Sequence, residues 1–383
     1  MRVAVVGAGI AGLSTAWALT KRGHAVTLLE QGAIPNPLSA SGDQHRLIRR
    51  AYGQADGYAR AITEAFDAWE AMWRDLGARH YAPCGVLAIS QAPGDEAELF
   101  REGLDRTGFG YRLFEPAEAA RRYPFLDPST FRYAYLSDEG GALFCRRIAA
   151  DLARWLAEYG AVVRPNARAV AIDAGAGSVA TAAGETIAAD RLVVTAGAWT
   201  PRLLPGLSDT LRGFRTAVAY LDPPPDLRVP WERAPAILDI GGTVDGYVLP
   251  PVGGTGLKVG AGVHKRSSPD PDQGRTPEAG EGERLRDLFS PPLARIGEYR
   301  VAGVVTCAYA FTIDHRFFGT RIGRAVVVSA CSGHGYKFGA AVGRRIADAV
   351  ESDDVETLAR WLRAEEPARL DLVSGWYFRP TSA

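Results

Sequence analysis

A glycine-rich turn near the start of the chain restricts the fold more than any other feature. The apolar run Val3–Val6 leads directly into the turn GAGIAG at residues 7–12, and a helical stretch follows from Leu13 to Arg22. A second apolar run, residues 25–29, ends in Glu30. This order of strand, glycine turn, helix, strand and acid predicts a βαβ unit that binds a dinucleotide. The alternative is a glycine turn in another kind of βαβ unit.

The three glycines of this turn have different predicted roles. Gly7 allows the tight turn, Gly9 lets the backbone approach a pyrophosphate, and Gly12 lets the helix pack closely on the strand. The helix N-terminus offers free N–H groups and a positive dipole end to the phosphates. Glu30, at the end of the second strand, is expected to accept hydrogen bonds from a ribose diol.

The composition is that of a globular protein with a substantial core. The chain has 383 residues, 47% of them hydrophobic, and its 44 Lys+Arg residues balance 44 Asp+Glu residues. The zero net charge argues against nucleic acid or an anionic membrane as the main partner. No apolar run approaches the roughly 18 residues that span a bilayer. Because the βαβ unit begins at residue 2, we expect no targeting peptide and a cytoplasmic location.

The cysteines and histidines show no metal-binding or redox spacing. The four cysteines, Cys84, Cys145, Cys307 and Cys331, are far apart and form no C-x-x-C pair. Free thiols in a reducing compartment are therefore expected. The six histidines include no H-x-x-x-H or H-E-x-x-H spacing, so the sequence predicts no metal site.

Hydrophobic periodicity places further elements along the chain. Apolar stripes at helical spacing over residues 62–76 and 148–159 predict core helices that end before Gly77 and Gly160. The other predicted elements are strands at residues 85–89, 162–163, 169–172, 178–181, 191–195 and 326–329, and a helix over about 338–351. The Pro-rich and Gly-rich stretch 268–282 is predicted to be a surface loop.

The βαβ material lies at the start, the middle and the end of the chain, with strand-rich stretches between. We therefore predict an α/β fold (α+β, two-domain), in which a β-rich substrate domain is inserted into a Rossmann-like dinucleotide-binding domain. The discontinuous binding domain is predicted to comprise residues 1–80, 142–212 and 302–383, and the inserted domain residues 81–141 and 213–301.

Six segments together carry a family resemblance. They are VAVVGAGIAGLSTAWALTKRGHAVTLLE at 3–30, RLIRRAY at 46–52, VVTAGAW at 193–199, GTGLKVG at 254–260, CAYAFTID at 307–314 and SGHGYKF at 332–338. The chain resembles the flavin-dependent amine and amino-acid oxidases, which include glycine oxidase and D-amino-acid oxidase. Within that family it is most similar to the branch of monomeric sarcosine oxidase and N-methyltryptophan oxidase.

The resemblance implies that the dinucleotide is FAD. The residues that it implies in cofactor binding are Gly7, Gly9, Ile10, Ala11, Gly12, Glu30, Arg46, Gly197, Cys307, Gly333, Gly335 and Lys337. It also implies a thioether between Cys307 and the flavin 8α-methyl group. Without the resemblance, Cys307 is simply a small buried hydrophobe.

The resemblance also implies a substrate site with two cations. Arg49 is expected to pair with the substrate carboxylate, and Lys337 to give that carboxylate a second contact. A planar guanidinium suits the first task because it binds a carboxylate with two hydrogen bonds. A lysine at a helix start opposes the helix dipole, which indicates a partner anion. The alternatives are a solvated positive face at residues 46–50 and a surface lysine.

Four further residues are implied in catalysis. Tyr247 and Tyr309 are expected to face the substrate, and Lys258 to activate oxygen on the opposite face of the flavin. The alternative for Lys258 is a strand lysine that points to water. In sarcosine oxidase, a histidine follows this lysine four positions later. The present chain departs from that pattern and has Gly262 at this position. His264, two residues on, either replaces the missing histidine or points elsewhere.

The implied reaction is oxidation of a C–N bond in an N-substituted, cyclic or free amino acid. A hydride passes to flavin N5, an imine forms, and O2 is reduced to hydrogen peroxide. The expected partners are the small-molecule amino-acid substrate and O2, and the expected state is a monomer. One alternative is a non-covalent FAD amino-acid dehydrogenase or oxidase on the same fold. The other is a flavin-binding partner protein without turnover.

Overall fold

The computed structural model describes residues 1–329 and 331–365, and these form a mixed α/β fold. The strands are β1 Arg2–Val6, β2 Ala25–Leu29, β3 Arg46–Arg49, β4 Tyr81–Ala82, β5 Val86–Ser90, β6 Arg112–Phe114, β7 Tyr133–Ser137, β8 Gly140–Leu143, β9 Val162–Arg164, β10 Ala169–Asp173, β11 Ser178–Thr181, β12 Thr186–Ala188, β13 Arg191–Val194, β14 Arg212–Asp222, β15 Ala236–Asp239, β16 Gly246–Leu249, β17 Leu257–Ala261, β18 Arg266–Ser267, β19 Arg300–Phe311, β20 Phe318–Ile322 and β21 Ala325–Ser329.

The helices of the described residues flank these strands. They are α1 Ile10–Lys21, α2 Asp56–Leu76, α3 Glu96–Thr107, α4 Pro116–Arg122, α5 Cys145–Glu158, α6 Thr200–Leu203, α7 Arg228–Glu232, α8 Glu281–Asp287, α9 Gly339–Ser352 and α10 Val355–Leu362. No helix in the described part of the chain has the length and apolar character needed to cross a membrane.

The first sheet contains the predicted βαβ unit. Its strand order is β20-β21-β13-β1-β2-β9, and β1 pairs in parallel with both β13 and β2. Helix α1 packs so closely against α9 that a Cβ atom at Gly343 would lie only 2.3 Å from the backbone carbonyl carbon of Ser14. Because β1, β2 and β13 are parallel neighbours, their carboxyl ends lie side by side at one edge of the sheet. This is the edge at which a doubly wound sheet binds its ligand.

A second, larger sheet carries the β-rich part of the chain. Its order is β18-β14-β17-β16-β15-β5-β7-β6, and β19 pairs with β14 from Phe311 to Arg300. The predicted domain boundary at residue 302 therefore falls near the start of a strand that belongs to this sheet. The division into domains stays a prediction, and the part of it over residues 366–383 lies outside the described residues.

Two predictions from local patterns differ from the structure. Tyr159, expected on a core face, follows α5 as its C-terminal cap and is 63% exposed, because the helix ends one residue earlier. The stretch 268–282 is only partly a surface loop, since Glu281 and Gly282 at its end begin α8 and are buried. Burial of Glu281 depends on a charged partner, Arg215, which lies far away in the sequence.

Candidate active site

A cavity of about 620 Å³ lies at the carboxyl ends of the first sheet. The glycine turn lines one end of it, together with Glu30 and Thr195, which follow β2 and β13. Side chains from β3, β16, β19 and the segment before α9 line the other end. The fold thus brings together segments that are distant in sequence. Ligands of open α/β sheets bind in this kind of crevice.

The glycine turn has the geometry that dinucleotide binding requires. Gly7 has a φ of +99°, and a Cβ atom there would lie 2.7 Å from the carbonyl oxygen of Thr195. A Cβ atom at Gly12 would lie 1.8 Å from the carbonyl oxygen of Gly7. Gly9 faces the cavity, and a Cβ atom there would find only the Ser41 hydroxyl, at 3.5 Å. Gly7 and Gly12 are thus required by packing, while Gly9 leaves room for a ligand.

The Glu30 carboxylate lies against this turn. Its Oε2 accepts a hydrogen bond from the Ala8 backbone N–H at 2.8 Å, and its Oε1 accepts one from the Asn36 side-chain amide at 2.8 Å. The Ser41 hydroxyl accepts a hydrogen bond from the Ile10 backbone N–H at 3.0 Å. Sequence reasoning missed Asn36 and Ser41, since neither belongs to the turn motif. The open space at Gly9 and the fixed acid beside it fit the adenylate half of FAD.

Lys258 belongs to a buried cluster of charges. Its ammonium group donates hydrogen bonds to the Asp43 carboxylate, at 3.0 Å, and to the His45 carbonyl oxygen. Asp43 also accepts hydrogen bonds from Arg46 and from the Tyr220 hydroxyl. Lys258 is completely buried, which excludes the alternative of a strand lysine in water. It is also absent from the cavity lining, so it lies behind the wall.

The electrostatics of this cluster are set by close opposite charges. Burial alone would raise the pKa of Asp43, but Lys258 and Arg46 hold it well below its usual range. Burial lowers the pKa of Lys258, and the Asp43 carboxylate opposes that shift. Sequence reasoning did not identify Asp43, although its position three residues before Arg46 is a weak signal. The result is a buried ion pair with hydrogen bonds to its surroundings.

Cys307 lies on β19 beside this cluster. It is buried and pairs across the sheet with Thr216, and the Arg46 guanidinium donates to its sulfur at 3.7 Å. Cys307 is not itself part of the cavity lining, whereas Cys331 is. Burial raises the pKa of the Cys331 thiol. Two thiols therefore lie at or next to the cavity wall, and only one of them was singled out from the sequence.

The predicted carboxylate-binding cations lie on the cavity wall and are buried. The Arg49 guanidinium lies 4.3 Å from the centre of the Tyr52 ring and 4.8 Å from that of Phe100. Lys337 donates to the His334 carbonyl oxygen at 2.8 Å, and its nitrogen lies 5.6 Å from the Tyr52 ring centre. Their burial excludes the alternatives of a solvated face and a surface lysine.

The positive charge of Arg49 affects the pKa of Lys337. Burial lowers the pKa of Lys337 far below its ordinary value, and the positive charge of Arg49 lowers it further. An anion placed between the two cations would relieve this repulsion and favour the charged lysine. The short 3₁₀ turn Tyr336–Phe338 carries Lys337 immediately before α9. The remaining predicted glycines, Gly197, Gly333 and Gly335, also line the cavity.

Tyr247 and Tyr309 both line the cavity. Burial raises the pKa of each phenol, although Arg46 opposes the shift, so both side chains are neutral. A Cβ atom at Gly260 would lie 2.6 Å from the phenol carbon of Tyr247, which explains the glycine beside this ring. Their expected place beside the substrate stays a prediction.

His264 points elsewhere, the second of its two alternatives. Its Nε2 lies 2.7 Å from the Glu281 carboxylate, and it is not among the cavity-lining residues. Glu281 also accepts a hydrogen bond from Arg215 at 2.7 Å. Burial alone would raise the pKa of Glu281, but hydrogen bonds from Arg215 and His264 bring it to about 2. His264 is therefore part of an ion cluster that fixes the start of α8.

Three carboxyl groups near the substrate end were missed by sequence reasoning. Glu96 and Asp245 line the cavity, and each places a carboxylate oxygen within 4.8 Å of the others and of Asp239. Asp239 is buried, Glu96 is half-buried and Asp245 is exposed at the cavity; desolvation by the surrounding protein raises the pKa of all three, that of Asp239 to about 8. Glu96 begins α3, whereas Asp239 and Asp245 lie six residues apart between β15 and β16, so no single local pattern marks all three. The predicted absence of a metal site stays untested.

A family profile described as FAD dependent oxidoreductase matches residues 2–349. The chain belongs to this family. This confirms the predicted resemblance and the prediction of an FAD-dependent enzyme. Among curated relatives, the chain is 26% identical over 350 residues to "Peroxisomal sarcosine oxidase" of Homo sapiens, covering 89% of each chain. It is 26% identical over 364 residues to "Monomeric sarcosine oxidase" of Arthrobacter sp., covering 90% of this chain and 91% of the relative.

Solved structures share the fold. NikD, described as an unusual amino acid oxidase essential for nikkomycin biosynthesis, has a TM-score of 0.78 at 22% identity, over 93% of this chain and 96% of that one. L-proline dehydrogenase from P. horikoshii has a TM-score of 0.80 at 19% identity, over 95% of this chain and 96% of that one. These likenesses confirm the predicted α/β fold class.

Proposed function

We propose that this FAD-dependent enzyme oxidises the C–N bond of an N-substituted, cyclic or free amino acid and passes the electrons to O2, with hydrogen peroxide as product. The observation that carries the proposal is the pair of buried cations, Arg49 and Lys337, in the same cavity as the glycine turn. The carboxylate of an amino acid carries the opposite charge and can accept hydrogen bonds from both side chains. The names of the relatives support the same chemistry.

FAD, when bound, supplies a two-electron acceptor for the substrate and a donor for O2. The turn at residues 7–12 and Glu30 bind its adenylate half. Arg49 and Lys337 orient the substrate carboxylate, and the neutral phenols of Tyr247 and Tyr309 form the wall beside it.

Lys258 acts in the second half of the proposed reaction. Its buried ammonium group stabilises the negative charge that develops on O2 as it takes up an electron. Asp43 keeps that ammonium group protonated and oriented, because the carboxylate is a permanent hydrogen-bond acceptor at 3.0 Å. A preorganised charge of this kind needs no rearrangement at the moment of reaction.

The proposal includes covalent attachment of FAD through Cys307 and a monomeric enzyme. Arg46 supports the attachment, because its guanidinium donates to the Cys307 sulfur at 3.7 Å and so fixes the position of that sulfur. The monomer is supported by the name of the Arthrobacter relative, "Monomeric sarcosine oxidase".

A screen of purified protein tests the function. Anaerobic reduction of the flavin is followed with N-methyl, cyclic and D-amino acids, and with the matching amines that lack a carboxylate. We expect reduction by at least one amino acid, a much weaker effect of its decarboxylated amine, and peroxide on admission of air. Preference for the decarboxylated amines would contradict the role of Arg49 and Lys337.

A second candidate, an amino-acid dehydrogenase, is favoured by one observation. Lys258 is separated from the cavity and already paired with Asp43, which reduces the field it exerts on O2. In that case the same screen would show flavin reduction, slow reoxidation in air and fast turnover with an artificial electron acceptor.

A further inference from the structure

The side-chain space of Gly262 is occupied by another residue. A Cβ atom at Gly262 would lie 1.8 Å from the Oδ2 atom of Asp245 and 2.6 Å from its carboxyl carbon. The Gly262 backbone N–H also donates to the Asp245 carbonyl oxygen at 2.8 Å. A glycine at position 262 is therefore what permits the Asp245 carboxylate to occupy this position on the cavity wall.

Asp245 faces a cavity that also contains the proposed carboxylate-binding cations. Both Asp245 and Gly262 belong to the cavity lining, as do Arg49 and Lys337. In an α-amino acid, the carboxylate and the ammonium group are attached to the same carbon atom. A cavity with buried cations and a carboxylate on its wall is therefore complementary in charge to both ends of such a ligand.

The groups around the Asp245 carboxylate come from several elements. Glu96 at the start of α3 adds negative charge, Asp239 at the end of β15 has a pKa raised to about 8, and Tyr247 on β16 is a neutral phenol. Lys265, after β17, and Arg49 on β3 oppose this with positive charge. The Asp245 carboxylate thus lies among both negative and positive groups on the cavity wall.

We propose that Asp245 binds the amino group of the substrate and accepts its proton. The inference rests on the proposed function and names the group that performs one of its steps. One N–H proton of the substrate ammonium passes to Asp245 Oδ, which leaves a neutral amine with a free electron pair and a neutral carboxylic acid. Only the neutral amine can assist loss of a hydride from the neighbouring carbon. Asp245 later returns the proton to water.

The raised pKa of Asp245 agrees with this role. Desolvation by the surrounding protein is the main cause, although the residue itself is exposed at the cavity, and Glu96 adds to it. A carboxylate with an ordinary pKa would be too weak a base to take a proton from an ammonium group. The neighbouring carboxyl groups strengthen the base because like charges at short range oppose ionisation. A bound ammonium group also relieves that repulsion.

A pair of ligands that differ only at the amine tests the binding role without turnover. The probes are 2-aminoisobutyrate, which has no hydrogen on its α-carbon, and pivalate, in which a methyl group replaces the amine. Binding is followed by the change in flavin absorbance. Asp245→Asn should weaken binding of 2-aminoisobutyrate by about tenfold or more, as expected for loss of a charge-assisted hydrogen bond. Binding of pivalate should change less than about twofold.

A second variant keeps the test valid if Asp245→Asn does not fold. Gly262→Ala should displace the Asp245 carboxylate and give the same selective loss of 2-aminoisobutyrate binding. In an Asp245→Ala background, the further change Gly262→Ala should have a much smaller effect, because only the contact with the Cβ atom of residue 245, at 2.9 Å, remains. Asp138→Asn, an exposed aspartate far from the cavity lining, is the matched control and should bind both ligands as the unmodified enzyme does.

The pH dependence of flavin reduction tests the proton transfer. The rate of flavin reduction by the best amino acid of the screen is measured as a function of pH. In Asp245→Asn, the increase of this rate with pH should occur at higher pH, because the variant must bind an amine that is already unprotonated. An unchanged pH dependence together with an equal effect on both ligands would overturn the inference. If no amino acid reduces the flavin, the proposed function fails, but the ligand pair still decides whether Asp245 recognises the amine.

Discussion

At the scale of single residues, the buried charges of the site depend on their partners for both position and protonation. Lys258 is completely enclosed, and its charge is sustained by the Asp43 carboxylate at 3.0 Å and by the His45 carbonyl oxygen. Removing one member of a buried pair leaves the other uncompensated, which is costly. Substitutions at this cluster therefore need readouts that separate chemistry from folding.

Lys258→Met should act on reoxidation rather than on reduction. We expect reoxidation by O2 to slow by about 10²–10³-fold, the loss typical for one preorganised charge or donor. Anaerobic reduction by the substrate should slow far less, and an artificial electron acceptor should restore turnover. Stopped-flow measurement of both half-reactions checks this. Equal slowing of the two would assign Lys258 a structural role.

Cys307→Ser should release the flavin on denaturation. The hydroxyl cannot form the thioether, so acid precipitation should leave a colourless pellet and a yellow supernatant. Cys331→Ser is the matched control, because it removes a second thiol, which lines the cavity. This substitution should leave the attachment intact. Flavin that stays with the Cys307→Ser pellet but leaves the Cys331→Ser pellet would move the linkage to Cys331.

At the scale of elements, glycines and ion pairs decide how closely helices and loops approach the sheets. Helix α9 crosses α1 so closely that Gly343 has no room for a side chain beside Ser14. The ion cluster of Arg215, Glu281 and His264 likewise connects the start of α8 to β14 and to the segment after β17. Both contacts position walls of the cavity without touching a ligand.

Gly343→Ala should destabilise the protein and weaken FAD binding. The new Cβ atom would lie 2.3 Å from the Ser14 backbone, so α9 must move away from the glycine turn that begins α1. We expect a loss of about 1–3 kcal/mol in the free energy of unfolding, typical of overpacking. Gly206→Ala is the control, because nothing lies within 4 Å of its Cβ position. Thermal unfolding and the ratio of flavin to protein absorbance measure both effects.

Glu281→Gln should remove part of the acid sensitivity of the fold. The folded-state pKa of Glu281, about 2, is below its ordinary value of 4.5, so the carboxylate stabilises the fold fully above pH 4.5. That stability is lost as the pH falls from 4.5 towards 2, on the order of 3 kcal/mol in total. The variant should be less stable at pH 7 because Arg215 loses its partner.

Urea unfolding between pH 3 and pH 7 measures this difference. The free energy of unfolding should fall less steeply with acid in Glu281→Gln than in the unmodified protein. Glu185→Gln is the matched control, because Glu185 pairs with Arg164 on the surface, where such pairs contribute little. Parallel acid curves for the Glu281 variant and the unmodified protein would contradict the assignment.

At the scale of the whole molecule, the cavity joins the two large sheets. Its lining includes Gly9 and Glu30, which follow strands of the first sheet, and Tyr247 and Tyr309, which lie on strands of the second. A dinucleotide that fills this space contacts both sheets, and its binding free energy adds to the stability of the folded state. Stability and cofactor occupancy should therefore change together.

Removal of the flavin should lower the thermal stability of the whole chain. In a Cys307→Ser background, which allows the flavin to be removed, added FAD should raise the Tm in a concentration-dependent way. The rise corresponds to about 2.7 kcal/mol when FAD is at a hundred times its Kd. FMN, which lacks the adenylate half, should raise the Tm much less. Equal effects of FMN and FAD would contradict the role of the glycine turn and Glu30.

The parts of this protein that could be predicted from sequence are those fixed by local geometry. The β1–α1–β2 unit, the end of α2 at Gly77 and the roles of Gly7 and Gly12 follow from periodicity and allowed backbone angles. The family motifs added candidate residues, and most of them lie together on the cavity wall. Local patterns placed the strands well but extended the core face to Tyr159, one residue beyond the end of its helix.

Only the tertiary structure decided which residues lie beside the charged side chains. Asp43 beside Lys258, Glu281 beside His264, and Asp245 in the side-chain space of Gly262 each join residues 17 or more positions apart. Backbone propensities and turn chemistry act over a few residues, so they determine elements and their ends. The partners of buried charges are instead determined by packing through space, where burial makes an unpaired charge too costly to keep.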